Sequence, residues 1–132
     1  MATINFNGTT SKVKAFDPNV DILNIDLLSA ADVRLIENAS GVVILDPSTG
    51  NTITLTGLTL GDLATSNLVF TDGSILKIGD GSPLGFDDFP NLLDLSGSTA
   101  DNHAEGLGGD DTILLGDGND FAKGGTGNDF IA

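Results

Sequence analysis

The sequence predicts an all-β protein: a small N-terminal β-sandwich or roll, followed by a short parallel β-roll at the C-terminal end. Three observations carry this. Short stretches of alternating polar and apolar residues recur along the first 80 or so positions. Turn-forming Gly, Asp, Asn, Ser and Pro separate them. Toward the C terminus Gly and Asp recur with a fixed nine-residue period.

The elements follow in chain order. Thr3-Ile4-Asn5-Phe6 alternates, and Asp21-Ile22-Leu23-Asn24-Ile25-Asp26 does so imperfectly; both read as strands. Ser29 is placed to cap a turn over residues 30–33. Val42-Val43-Ile44-Leu45 is an unbroken apolar run, as a strand buried on both faces would be. Turn chemistry from Asp46 to Asn51 and the alternating Thr52-Ile53-Thr54-Leu55-Thr56 make residues 42–56 a predicted hairpin. Thr59 is placed to cap a second turn over 60–63. Leu68-Val69-Phe70 and Ile75-Leu76-Lys77-Ile78 flank Thr71-Asp72-Gly73-Ser74, which predicts a second hairpin. Residues 79–85 are turn-rich and read as a linker.

That linker divides the chain into residues 1–85, a small β domain of unknown ligand, and residues 86–132. The first part holds nine acids and four bases; the second holds ten acids and the single base Lys123. The whole chain carries −14, and 17 of its 19 acids are Asp. This charge repels phosphate backbones and anionic lipid, so neither nucleic-acid binding nor membrane insertion is expected. With no Cys and one His, thiolate zinc sites, disulfides and multi-histidine sites are excluded. Many hard oxygen donors favour a hard cation, calcium before magnesium. No basic segment followed by an apolar stretch opens the chain, so no N-terminal signal peptide is read. No nucleophile motif or phosphate loop is present, and no enzymatic activity is expected.

The blocks are 97–105, 106–114, 115–123 and 124–132. Position six is Asn102, Asp111, Asp120 or Asp129, and position eight is apolar. Asp88–Ser96 reads as a further worn copy, with Leu95 at position eight. Glycines at positions one to five permit tight turns with φ > 0, whose carbonyl oxygens can point at a common centre. Positions six to nine make a short strand that buries position eight. Two blocks complete one coil, so turns two blocks apart stack on the same edge. Their carboxylates then lie roughly 4.8 Å apart, one strand spacing. A cation between them turns repulsion into attraction, and calcium accepts six to eight oxygens at about 2.3–2.6 Å.

Residues 106–132 resemble the repeats-in-toxin (RTX) nonapeptide, a calcium-binding β-roll repeat. Gly124, Gly125, Gly127, Asp129 and Ile131 match every defined position, whereas block 106–114 departs at Leu107 and block 115–123 at Leu115. The resemblance implies that Asp111 and Asp129 share one calcium ion and that Asn102 and Asp120 share a weaker second, about two sites in all. Carbonyls at Gly106, Gly108, Gly109, Gly116, Gly118, Gly124, Gly125 and Gly127 would complete the shells. It also implies an extracellular module of a larger protein, exported by a Gram-negative bacterium through type I secretion and folding on binding calcium outside the cell. The chain is expected to be a fragment, because the repeats run to its last residue. Two other readings stand beside this one: a carbohydrate-binding module of a secreted glycoside hydrolase, and a self-associating adhesin or surface-layer block.

Other residues are given plainer roles. Asp17, Asp21 and Asp26 read as turn or strand-edge residues. His103 reads as a solvent-exposed spacer, and Asp110 and Asp117 as solvated charges. Phe121 and Phe130 at position seven form an exposed stripe or meet a neighbouring module.

Overall fold

The computed structural model describes residues 2–64, 66–79 and 89–132 and is all-β. Its strands are β1 (Thr3–Phe6), β2 (Lys12–Ala15), β3 (Ile22–Ile25), β4 (Arg34–Asn38), β5 (Gly41–Leu45), β6 (Thr52–Thr56), β7 (Leu68–Phe70), β8 (Leu76–Ile78), β9 (Leu92–Asp94), β10 (His103–Glu105), β11 (Thr112–Leu114), β12 (Phe121–Lys123) and β13 (Phe130–Ile131). They form four sheets. Three are parallel, in the orders β1-β3-β7, β8-β10-β12 and β9-β11-β13; the fourth, β2-β6-β5-β4, is mixed. Among the described residues no helix is long and apolar enough to cross a membrane.

The hairpin over 42–56 forms, as β5 pairs antiparallel with β6. Asp46 closes its turn by accepting from Ser48 N–H (3.0 Å), Ser48 Oγ (2.7 Å) and Thr49 Oγ1 (3.0 Å). These bonds, the Ser48 hydroxyl first, hold the Asp46 carboxyl below the usual carboxylate range although burial pushes it up. The apolar run in β5 is less enclosed than expected: Val42 and Ile44 are buried, Val43 and Leu45 only half-buried, because one face of this sheet is covered less completely. Both single turns occur, although neither the Ser29 nor the Thr59 side chain makes a capping bond. Single 3-10 turns span Ala30–Asp32 and Leu60–Asp62. Ser29 N–H donates to the Asp32 carboxylate and Thr59 N–H to the Asp62 carboxylate, each at 2.8 Å.

The hairpin read over residues 68–78 does not form. β7 pairs parallel with β3, and β8 pairs parallel with β10. The turn between them exists: Asp72 accepts from Ser74 N–H and Oγ and from Ser29 Oγ. Alternation marked both strands correctly, but it carries no information about a partner. The chain leaves one sheet at Asp72 and enters another. The linker expected at 79–85 lies outside the described residues beyond Gly79.

This crossing builds the roll onto the N-terminal part. Leu76 and Ile78 of β8 are buried in the principal core, with Phe6, Leu23, Ile25, Ile44, Ile53, Leu55 and Phe70 among others. The same strand's edge pairs with β10, Leu76 opposite His103. Leu93, Leu95, Ala104 and Ile113 form a second, smaller core between the two repeat sheets, with Ile75, Leu115 and Ala122 packed on it.

His103 is not a spacer: it is fully buried. Its Nε2 lies 2.8 Å from Glu105 Oε1 and its Nδ1 3.1 Å from the Ala30 carbonyl. Its ring packs on Phe121 at 4.6 Å between centroids, and the Arg34 guanidinium covers Phe121 at 3.9 Å. Position seven of the β10–β12 face therefore meets the N-terminal part, which buries His103 fully and Phe121 in part. On the opposite face Phe130 is exposed, as is Leu92 two strands away across Thr112. The two roles considered for position seven are thus divided between the two faces.

Candidate metal centre in the repeat turns

The turns acquire their geometry from the coil. His103 pairs with Phe121, and Thr112 with Phe130, each a shift of two blocks. Equivalent turns therefore stack on one edge, as two nonapeptides per coil require. The worn copy stands in a different register. Leu93, not Leu95, lies opposite Ile113, and Asn91 holds the place before the strand that Asp111 holds in the next coil.

On one edge lie the turns 106–111 and 124–129. Asp111 is 1% exposed. Its Oδ1 accepts from Asn91 N–H (2.8 Å), and its own N–H donates to Asp129 Oδ1 (3.0 Å). Position one of each turn is Gly because the carboxylate of the same block lies against it. A Cβ on Gly106 would sit 2.3 Å from Asp111 Oδ2 and 2.4 Å from the Gly124 carbonyl oxygen. A Cβ on Gly124 would sit 2.2 Å from Asp129 Oδ2. Two stacked carboxylates and a turn carbonyl thus crowd a space kept clear of side chains. Such a donor set of hard oxygens, with no nitrogen or sulfur, fits calcium. Among the described residues no three His, Asp or Glu side chains converge, so the backbone must supply much of any shell here.

Backbone stacking explains two other glycines. Gly127 has φ +123°, and a Cβ there would meet the Gly109 oxygen at 1.9 Å. Gly125 has φ +108° and packs on the Leu107 carbonyl. Leu107 stands at the same position one coil earlier and is itself left-handed, with φ +72°. That conformation costs a non-glycine residue roughly 1–2 kcal/mol. Leu107 packs its side chain on the principal core, which offsets the strain. Gly108 bridges to Thr126 in the next coil.

On the other edge lie the turns 97–102 and 115–120. Asn102 N–H donates to Asp120 Oδ1 at 2.8 Å, so the position-six residues are again stacked. Gly116 packs on the Ser98 carbonyl and Gly118 on the Ala100 carbonyl.

Sequence reasoning missed the residues at position five. Asp101 Oδ1 accepts from Asn119 N–H (2.8 Å), and Asp110 Oδ1 from Asn128 N–H (2.9 Å). Asp110 is exposed yet anchors the next coil; it is not merely a solvated charge. The signal was present, since all four blocks carry Asp or Asn there. Asp21 is a turn residue as expected. It accepts from Asp17 N–H and Ala2 N–H, and these bonds hold its carboxyl below the usual range.

Together these features define a parallel β-roll whose stacked Gly-Asp turns bring oxygen atoms of successive coils together. Residues 96–131 match the RTX calcium-binding nonapeptide repeat, in four copies. The match supports reading this segment as a calcium-binding structural repeat. No curated protein and no solved structure matches the chain.

Proposed function

We infer that the chain is a non-catalytic, extracellular calcium-binding module, an accessory segment of a larger type I-secreted protein. Its calcium site is assigned to Asp111 and Asp129, with turn carbonyls around Gly106 and Gly124. The stacking of these two carboxylates against their own position-one glycines carries the reading. The mechanism is coupled binding and ordering. Without a cation, the acidic repeats repel one another across a small apolar core. With calcium bound, the turns close and the binding free energy becomes folding free energy. Low calcium inside a cell keeps this edge open for export, and higher calcium outside closes it.

A calcium titration followed by far-UV circular dichroism tests this, with magnesium as control. A saturable gain of β signal with calcium is expected, lost in the Asp111→Ala/Asp129→Ala variant. A chelated protein whose spectrum never responds to calcium would refute the reading.

A further inference from the structure

The 97–102/115–120 edge brings the same kinds of oxygen together with protein atoms alone. Asn102 is fully buried and stands at position six of its block. Its Nδ2 donates to the Ala100 carbonyl (2.8 Å) and to Asp120 Oδ1 (3.1 Å). Its Oδ1 accepts from Ile75 N–H (3.0 Å) and Ser98 Oγ (3.2 Å). Both amide hydrogens and both lone pairs are used. The partners also fix which end is nitrogen. The reverse orientation would set oxygen against a carbonyl and a carboxylate, and the NH2 group against the Ile75 N–H. The two oxygens bridged by Nδ2 are a turn carbonyl and the next coil's position-six carboxylate. An ionised Asp at this place has no donor and could not join them.

Position one agrees. On the Asp111 edge, Gly106 and Gly124 are each folded against the carboxylate of their own block. On the Asn102 edge, a Cβ on Gly97 would meet nothing within 4 Å, and the next block has Leu115, packed on the roll's core. The glycine cradle exists on one edge only.

We propose that the Asn102 side-chain amide takes the place of a calcium ion between turns 97–102 and 115–120. This edge assembles without metal, and the described repeat turns bind one ion, across Asp111 and Asp129. The inference rests on reading the latter pair as a calcium site. It has a structural consequence. The sheet β8-β10-β12, joined to the principal core through Leu76, Ile78 and His103, is a metal-free template, and calcium closes only the opposite edge.

Isothermal titration calorimetry on the chelator-treated full chain tests the proposal. One calcium ion is expected for the wild type and none for Asp129→Asn, while in calcium-free buffer Asn102→Asp is expected to lose the amide protection of this edge, since its carboxylate would face Asp120 and the Ala100 carbonyl with no donor. Two ions in the wild type, or undiminished calcium-free protection in Asn102→Asp, would overturn the inference and leave the Asp111–Asp129 reading standing. None in the wild type would overturn both. Amide hydrogen exchange on the wild type guards against a misfolded variant. In calcium-free buffer the Ile75 and Asn102 amides are expected to be protected, with the Asp111 amide gaining protection only on adding calcium. All three exchanging alike without calcium would refute the asymmetry.

Discussion

A single methyl group placed at Gly106 probes the candidate site more selectively than removal of a carboxylate. Gly106 is not left-handed, so Ala fits its backbone without φ strain. The added Cβ would lie 2.3 Å from Asp111 Oδ2 and 2.4 Å from the Gly124 oxygen, inside the 3.0 Å that real Cβ contacts keep. The carbonyl is backbone of the next coil and cannot swing aside, so the coils must separate or the carboxylate must turn away. Overpacking of this kind costs roughly 1–3 kcal/mol. If the strain falls on the calcium-bound form, affinity weakens roughly 5- to 150-fold, at about 1.4 kcal/mol per tenfold. Gly97→Ala is the matched control, a position-one glycine with open space around its Cβ. Calorimetric titration with calcium reads both. Wild-type affinity in Gly106→Ala, or equal weakening in Gly97→Ala, would refute the argument that position-one glycine makes room for an ion-binding carboxylate.

Other outcomes follow from the same geometry. Ile113 is fully buried in the roll's small core, and Ile113→Ala should cost about 2–5 kcal/mol in urea unfolding with calcium present. His103→Leu removes the group facing both Glu105 and the Ala30 carbonyl. Each polar group left buried without a partner costs about 1–3 kcal/mol, so a clear loss in thermal stability is expected at neutral pH. Asp46 and Asp72 have carboxyls held below their ordinary value. For Asp46 the leading cause is the Ser48 hydroxyl; for Asp72 burial opposes the shift, and hydrogen bonds from Ser29 and Ser74 outweigh it. A lowered folded-state value stabilises the fold above the ordinary carboxylate range, about pH 4, and this is lost as pH falls further. Thermal melts between pH 6 and pH 3 should show that loss, reduced in Asp46→Asn; equal acid sensitivity in the two proteins would refute the assignment.

The nine-residue period was legible because it is local. Gly at turn positions, Asp or Asn at position six and an apolar residue at position eight each meet a requirement of one turn and one strand, and coil stacking then follows from the period alone. The hairpin at 42–56 and the two short turns at 30–32 and 60–62 were legible for the same reason: their signals lie within a few residues of one another. Partner choice was not. Leu68–Phe70 and Leu76–Ile78 look like hairpin strands, yet each joins a different parallel sheet. Alternation states which face is buried, not against what. His103 looked polar and exposed because, although Glu105 stands two residues on along the same strand, nothing near it in sequence announces the Ala30 carbonyl, 73 residues away, that shares its buried face.

The sequence by itself determined the strand-forming stretches, the roll's repeat and the oxygen-rich chemistry of its turns, since short-range sterics and charge decide these. Tertiary structure decided which edge offers a cradle. Asp111 and Asn102 occupy equivalent places in successive blocks, but only the fold sets Asn102 against the Ala100 carbonyl, Ser98, Asp120 and the Ile75 N–H at once. Ile75 lies 27 residues away. A hydrogen-bond network of that reach is closed by the docking of β10 on β8, and no nine-residue pattern contains it.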